Sequence, residues 1–347
     1  LSYLCNPLKP KEILLKAQQK ILIIQTAFIG DVVLSTPIIE ALRRYSIDFV
    51  IDILVRKGNE SLLHNHPILN KIWVWDKKHQ KIKNQFHLIR SFRSEKYDYV
   101  INLQRFLSSG LFTLFSGSKR TIGFDKNPLS FLFSHSIKHQ IQAGIHETER
   151  NLSLLIPILG HKPQSSMVLY PSMDDFASVQ KHQLQPYLVI APTSVWFTKQ
   201  YPENKWIDFI QKVDSKFKIF LIGGPTDRFY IQSIISKSGS NRCENLAGNL
   251  SFLQSAALMY GATMNYVNDS APLHLASALN APTAAIFCST TPDFGFGPLS
   301  ELSEVIETTL KLDCKPCGLH GKNTCPKNHF DCAQTIQTEQ LLKVLEL

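Results

Sequence analysis

The sequence predicts an α/β protein made of two doubly wound parallel-sheet units, and three observations carry that prediction. Short apolar runs of strand length recur along the chain with helix-length stretches between them, the pattern of repeated βα units. That pattern stops between about residues 160 and 186, across "GHKPQSSMVLYPSMDDF" and a polar helix-like segment, and then begins again. The chain has 347 residues, too many for one ordinary core. Two such units leave a cleft between them, and no shorter internal repeat is visible.

In the first unit the expected strands are "ILIIQT" (21–26), "FVIDILV" (49–55), "IWVW" (72–75), "YVINLQ" (99–104) and "TIGF" (121–124). "PIIEALRRY" reads as a helix, with Thr36 as N-cap, Pro37 at the first helical position and Ile38, Leu42 and Tyr45 on one face. The second unit begins with "YLVIAP" (187–192) and continues through "KIFLIGG" (218–224), "YVND" (266–269), "PTAAIFC" (282–288) and "EVIET" (304–308). The tail "TIQTEQLLKVLEL" reads as a closing amphipathic helix. The expected divisions are a lead segment 1–19, a first domain 20–175, a second domain 176–330 and the closing helix 331–347.

With 44% hydrophobic and 19% charged residues, the composition is that of a globular protein. No apolar run approaches the roughly 18 to 20 residues that span a bilayer. The first twenty residues lack a continuous apolar core and a small-residue cleavage site, so the expected location is the cytoplasm. Net charge is +9 and uneven: Lys71 to Lys96 carries eight Lys or Arg against Asp76 and Glu95, interleaved with Trp73, Trp75, Phe86 and Phe92. Such a stretch suits an anionic partner or a solvated helix face. No nucleic-acid signature accompanies it, which favours a phosphorylated glycolipid or an acidic membrane surface.

Ligands of open parallel sheets bind beyond the carboxyl ends of the strands, so the residues just after each strand matter most. After the first strand stands "TAFIGDVVLSTP". It has one glycine and no lysine, which is not a phosphate cradle, and the GxGxxG of a nicotinamide enzyme is missing. Gly30 permits close approach of another element, while Asp31 suits a general base or a helix cap. After "YLVIAP" come Thr193, Ser194 and Lys199, hydroxyls and a cation suited to a diphosphate leaving group. After "KIFLIGG" comes Asp227, placed to accept from ribose hydroxyls.

"YVNDSAPLHLASALNAP" carries Asn268, Asp269 and Ser270 as N-cap candidates and Pro272 in the first helical turn. Its N–H groups near Ser270 and Ala271 make an anion site, and His274 is either a ligand contact or a structural histidine. No DxD occurs, which favours transfer without a metal. Cys314, Cys317, Cys325 and Cys332, with His320 and His329 nearby, suit either a structural zinc or plain reduced thiols.

Together these motifs resemble glycosyltransferase family 9, the lipopolysaccharide heptosyltransferases. The likeness runs from "ILIIQTAFIGDVVLSTPIIEALRRY" to "VNDSAPLHLASALNAPTAAIFCSTTPDFGFGPL", the latter close to the family's NDSGPxHxAAAxxxP, and the "CKPC…CP…C" tail also resembles members. The resemblance implies a GT-B fold, with an acceptor-binding first half, a nucleotide-sugar-binding second half and a final helix packed back on the first. It implies inverting, metal-independent transfer from ADP-L-glycero-β-D-manno-heptose to the inner core of lipopolysaccharide, with no cofactor required. Asp31 would be the base on the acceptor side beside Gly30. Thr193, Ser194 and Lys199 would hold the diphosphate, Asp227 the ribose, Asp269 the heptose hydroxyls, and Ser270, Ala271 and His274 would line the pocket. The implied partners are the nucleotide sugar and an anionic lipopolysaccharide precursor at the inner face of the inner membrane. Ala271 replaces the family's glycine, and a position needing positive φ would strain it. That departure, with Trp196 and Phe197 in the "TSVWFTKQYP" loop, keeps two alternatives open: another donor sugar, or a non-catalytic relative that binds nucleotide or glycolipid.

Overall fold

A computed structural model of the chain describes residues 18–346, so the expected lead segment 1–19 lies almost wholly outside the described residues. The first half contains β1 (Gln19–Gln25), α1 (Ile29–Val33), α2 (Thr36–Tyr45), β2 (Phe49–Arg56), β3 (Leu69–Trp75), α3 (Lys81–Glu95), β4 (Tyr99–Asn102), α4 (Leu107–Phe115), β5 (Arg120–Phe124) and β6 (His135–Ile137). Three helices follow: α5 (Glu147–Ser153), α6 (Ile156–Leu159) and α7 (Met173–Val179). The second half contains β7 (Tyr187–Ala191), α8 (Glu203–Lys212), β8 (Lys218–Leu221), α9 (Arg228–Ser238), β9 (Cys243–Asn245), α10 (Phe252–Tyr260) and β10 (Met264–Asn268). It ends with α11 (Ala271–Ala278), β11 (Thr283–Phe287), β12 (Ser303–Glu307), α12 (Asp331–Gln334) and α13 (Thr338–Lys343).

Each half forms a six-stranded, all-parallel sheet, ordered β3-β2-β1-β4-β5-β6 in one and β12-β11-β10-β7-β8-β9 in the other. Both are the same topology, in which the chain reverses direction beside its first strand. The crevice at that reversal is where open sheets bind ligands. It falls between β1 and β4 in the first half and between β7 and β10 in the second.

The strands form because their apolar residues serve both faces with period two. Ile21, Ile23, Ile51 and Ile53 pack with α2 on one face, while Leu22, Ile24, Leu54 and Val100 pack with Trp75, Phe92 and Phe112 on the other. In the second half Leu188, Ile190, Leu221 and Tyr266 meet Trp206 and Phe209 of α8, and Val189, Val267 and Phe287 face α10 and α11. One apolar core runs without a break from β1 to β7 and β11, so the halves meet through packed side chains.

Several expectations are corrected. Thr36 is the first residue of α2, with Ser35 in the cap position and Pro37 second, because the turn of α1 runs almost directly into α2. The edge strands β6 and β9 were not foreseen: "HSI" and "CEN" have three residues each and no apolar alternation. The closing helix α13 packs on the second half, against α8, and not back on the first. Leu341 and Val344 join the second core, Thr338 bonds Asp208, and Tyr266 donates to the Leu341 carbonyl at 2.9 Å. Helix α7 spans the expected 175/176 division and packs on α10. Among the described residues no helix is long and apolar enough to cross a membrane.

Candidate functional site

Both chain reversals face the same cleft, because α1 follows β1, α11 follows β10, and the two helices pack on each other. Gly30 makes that contact. A Cβ there would stand 2.9 Å from His274 Cδ2, closer than side chains pack, and in ordinary contact with the Ala271 Cα at 3.8 Å. The glycine in "FIGD" is therefore needed for helix-on-helix approach, and its φ is ordinary for a helix.

Asp31 sits one residue further on. Its Oδ2 accepts from the Phe28 N–H at 3.1 Å, so it does cap α1. That bond uses one oxygen, and no Lys, Arg or His stands within ion-pair distance of the carboxylate among the described residues. At the floor of the cleft it keeps some accessible surface, yet protein surrounds it. Burial pushes its pKa up to about 6, opposed by the Phe28 bond, and the nearby Glu147 charge adds to the rise.

Across the cleft, Lys199 and Asp269 form an ion pair at 2.6 Å, with side chains only 15% and 8% exposed. Thr290 donates to the same Asp269 oxygen at 2.6 Å. The loop that carries Lys199 is held by the segment after the CxxC: Thr198 N–H donates to the Lys322 carbonyl at 3.0 Å, and Lys322 N–H to Thr198 Oγ1 at 2.8 Å. Thr193 Oγ1 donates to Asp227 Oδ2 at 3.2 Å, and the Gly224 N–H donates to that oxygen at 2.7 Å. Thr193 and Asp227 are thus joined beside the β7 and β8 ends, while Ser194 lends only its carbonyl, to Gln200 at 2.7 Å.

Ser270 is the N-cap of α11 with extended backbone, and its side chain does not cap the helix. Ala271 opens the helix and has no positive φ, so the strain expected from replacing glycine does not arise. Asn268 is not part of a cap: its Oδ1 accepts from Tyr201 N–H at 2.9 Å, tying β10 to the loop before α8. His274 is buried with Nδ1 unpartnered, and burial, reinforced by His146, pushes its pKa down to about 3. A neutral imidazole therefore lies between the halves.

A second contact joins the halves beside this site. Glu147 N–H donates to the Gly295 carbonyl at 2.8 Å, and Arg150 Nη2 to the Phe294 carbonyl at 2.7 Å. Arg150 is held by Glu147 at 2.7 Å.

The four tail cysteines lie within electrostatic reach of one another: Cys332 feels Cys317, Cys325 and Cys314. Cys314, Cys317, Cys325 and Cys332 are free thiols, and among the described residues no three His, Cys, Asp or Glu side chains group around one ion position. Cys314 Sγ lies 3.8 Å from His329 Nε2, Cys317 turns to the Cys314 carbonyl at 3.2 Å, and Cys332 is buried in the second core. His320 feels the charges of Arg105, Lys199 and Asp269, on the cleft side of this segment.

Three residues went unnoticed in the sequence: Arg56 at the end of β2, Lys77 after β3 and Thr290 after β11. The strand-end rule that selected Asp31 and Asp269 covers all three.

Two Rossmann-type units facing one cleft, with polar residues at both chain reversals, are the GT-B architecture. The family model described as glycosyltransferase family 9 (heptosyltransferase) matches residues 85–327, and the chain belongs to that family. It is 26% identical to lipopolysaccharide heptosyltransferase 1 of Campylobacter coli, covering 94% of this chain and 98% of that protein. Among solved structures it resembles the ADP-heptose lipopolysaccharide heptosyltransferase II of Escherichia coli, with TM-score 0.78 and 22% identity over 94% of this chain and 98% of that one. The family 9 glycosyltransferase of Veillonella parvula superposes with TM-score 0.81 at 18% identity, over 95% and 97% of the two chains.

Proposed function

We propose that this glycosyltransferase moves a heptose from ADP-L-glycero-D-manno-heptose to a sugar hydroxyl of the inner core of lipopolysaccharide, inverting the anomeric centre without a catalytic metal, at the cytoplasmic face of the inner membrane. The relatives' names support donor and acceptor, and the missing DxD supports metal-free transfer. The observation that carries the reading is an unpaired, burial-raised carboxylate, Asp31, on a helix packed directly against α11.

In this reading Asp31 takes the proton of the acceptor hydroxyl. The oxygen then attacks the anomeric carbon from the face opposite the nucleotide, forming one C–O bond as the bond to ADP breaks. The charge that develops on the diphosphate falls to Lys199 and the N–H groups at Ser270 and Ala271. Thr193 and Ser194 complete the diphosphate site, and Asp227 takes the ribose. Lys199 is held by Asp269. An arriving diphosphate competes for the lysine and releases Asp269 toward sugar hydroxyls, while Thr290 keeps it in place. Neutral His274 fills the space between the halves and brings no extra positive charge.

The test is incubation of ADP-heptose, in turn, with lipopolysaccharides truncated before the first, the second and later heptoses, with EDTA present. The reading expects stoichiometric ADP release and an acceptor heavier by one heptose. Selective use of UDP- or GDP-sugars, or ADP release without glycosylated product, contradicts it.

A further inference from the structure

The end of β11 reaches both partners of the Lys199–Asp269 pair. Phe287 closes that strand, and two buried hydroxyl residues stand just beyond it, Ser289 and Thr290, each 1% exposed. Thr290 donates to Asp269, and its neighbour Ser289 donates to Thr198 Oγ1 at 3.0 Å. Thr198 precedes Lys199 in the chain and is equally buried. Adjacent residues at one strand end therefore grip the anion and the residue beside the cation.

Thr198 is held from a second side by the segment after the CxxC. Its N–H donates to the Lys322 carbonyl, and its hydroxyl oxygen accepts from the Lys322 N–H. That segment is itself tied to the β11 end. The Cys317 N–H donates to the Ser289 carbonyl at 2.9 Å, and Lys315 Nζ reaches the Phe287 carbonyl at 3.0 Å and Glu307 at 2.7 Å. Gly321 packs on the Lys199 loop: a Cβ there would meet the Trp196 side chain and stand 2.8 Å from Lys199 Cγ. Gly321 has no positive φ, so close contact, and not backbone conformation, calls for the missing side chain.

The groups that bond Thr198 are all uncharged. They fix where the lysine stem begins and do not compete for its ammonium. A lysine stem is flexible, and ordering it on a ligand costs entropy. That cost matters once a diphosphate draws Lys199 from Asp269, because the ion pair then no longer holds the stem. We propose that Thr198 and Ser289 are positioning residues for Lys199: with Gly321 and Lys322 they clasp its loop and keep the lysine aimed at the diphosphate after it leaves Asp269. This rests on the reading of Lys199 as the diphosphate's cation and adds what sets its place. It also gives the segment after the CxxC a part in donor binding.

Calorimetry with ADP, ligand-observed NMR with adenosine and steady-state kinetics test it on wild type, Thr198→Val, Thr198→Ser, Ser289→Ala and Lys199→Met. Thr198→Val keeps the shape and loses the oxygen that accepts from both Lys322 and Ser289. It should weaken ADP binding by about 10-fold and raise the donor KM in proportion, with the acceptor KM unchanged. Adenosine, which has no diphosphate, should bind within about twofold of wild type. Thr198→Ser keeps the oxygen and should recover most of the loss. Ser289→Ala removes one of the two bonds and should weaken ADP by about 3-fold, which reads the same clasp if Thr198→Val does not fold. Loss of ADP and adenosine alike in the folded variants, or of neither, overturns the positioning role while Lys199→Met still loses ADP. ADP binding kept in Lys199→Met overturns the reading of Lys199 and the positioning role together.

Discussion

The two halves share one topology and present the same kind of crevice, yet they treat charge in opposite ways. The second half pairs its charges: Lys199 with Asp269, backed by Thr290, and Asp227 with a threonine and a backbone amide. The first half keeps Asp31, Arg56 and Lys77 out of ion pairs, within the reach of one loop. Unpaired charges in a cleft are costly to keep, so they mark where bond-making or recognition uses them. Paired charges mark a site that is preorganised and exchanges partners when its ligand arrives. In this enzyme the half that would do the proton chemistry is strained electrostatically, and the half that would hold the donor is satisfied.

The largest break of that contrast comes from removing the unpaired carboxylate. Asp31→Asn retains an oxygen able to cap α1, so the fold should hold, while turnover should fall by about 10²- to 10⁴-fold. ADP affinity, measured on the same protein, should not move. Next comes the paired half. Lys199→Met should abolish detectable ADP binding and, by stranding Asp269, destabilise the protein by about 3 kcal/mol or more in denaturant unfolding. Adding Asp269→Asn should recover much of that stability and none of the ADP binding, which separates the structural from the ligand role of the pair.

A smaller effect is expected where the halves touch. Gly30→Ala places a methyl 2.9 Å from His274 Cδ2 and should cost about 1 to 3 kcal/mol, with turnover lowered and ADP affinity nearly kept. Smallest is Ala271→Gly. Because Ala271 is already helical, glycine should bring no gain in ADP affinity and cost at most about 1 kcal/mol. A large gain would mean that the alanine obstructs the diphosphate.

The sheet strands were legible because buried parallel strands read as apolar runs, and the site candidates because ligands collect at strand ends. Asp31, Lys199, Asp227 and Asp269 all stand there, as does Thr193, which bonds Asp227; Thr290, which bonds Asp269, was not named. Which charges pair was not legible: nothing in "VRKG" and "WDKK" says that Lys57, and not Arg56, takes Asp76. The pattern in "TEQLLKVLEL" shows that one helix face is buried but not against which half, and the packing on the first half was implied only by the family resemblance. Cysteine spacing does not say whether thiols surround one ion position: the four are near one another, yet among the described residues no three of them group around one. The edge strands carry too few residues to show a period.

The most direct test measures single-turnover rate and ADP affinity together from about pH 5 to pH 8, on wild type and Asp31→Asn. As the proposed base Asp31 would act only when ionised, and its pKa is raised to about 6, so the wild-type rate should be flat above that value and fall tenfold per unit below it. Of the cleft histidines, His274 is pushed by burial down to about 3, well below that limb. ADP affinity should stay level through it, and Asp31→Asn should lack it. A limb that survives in Asp31→Asn, or one that appears equally in ADP binding, would contradict the assignment of the proton to the first half of the molecule.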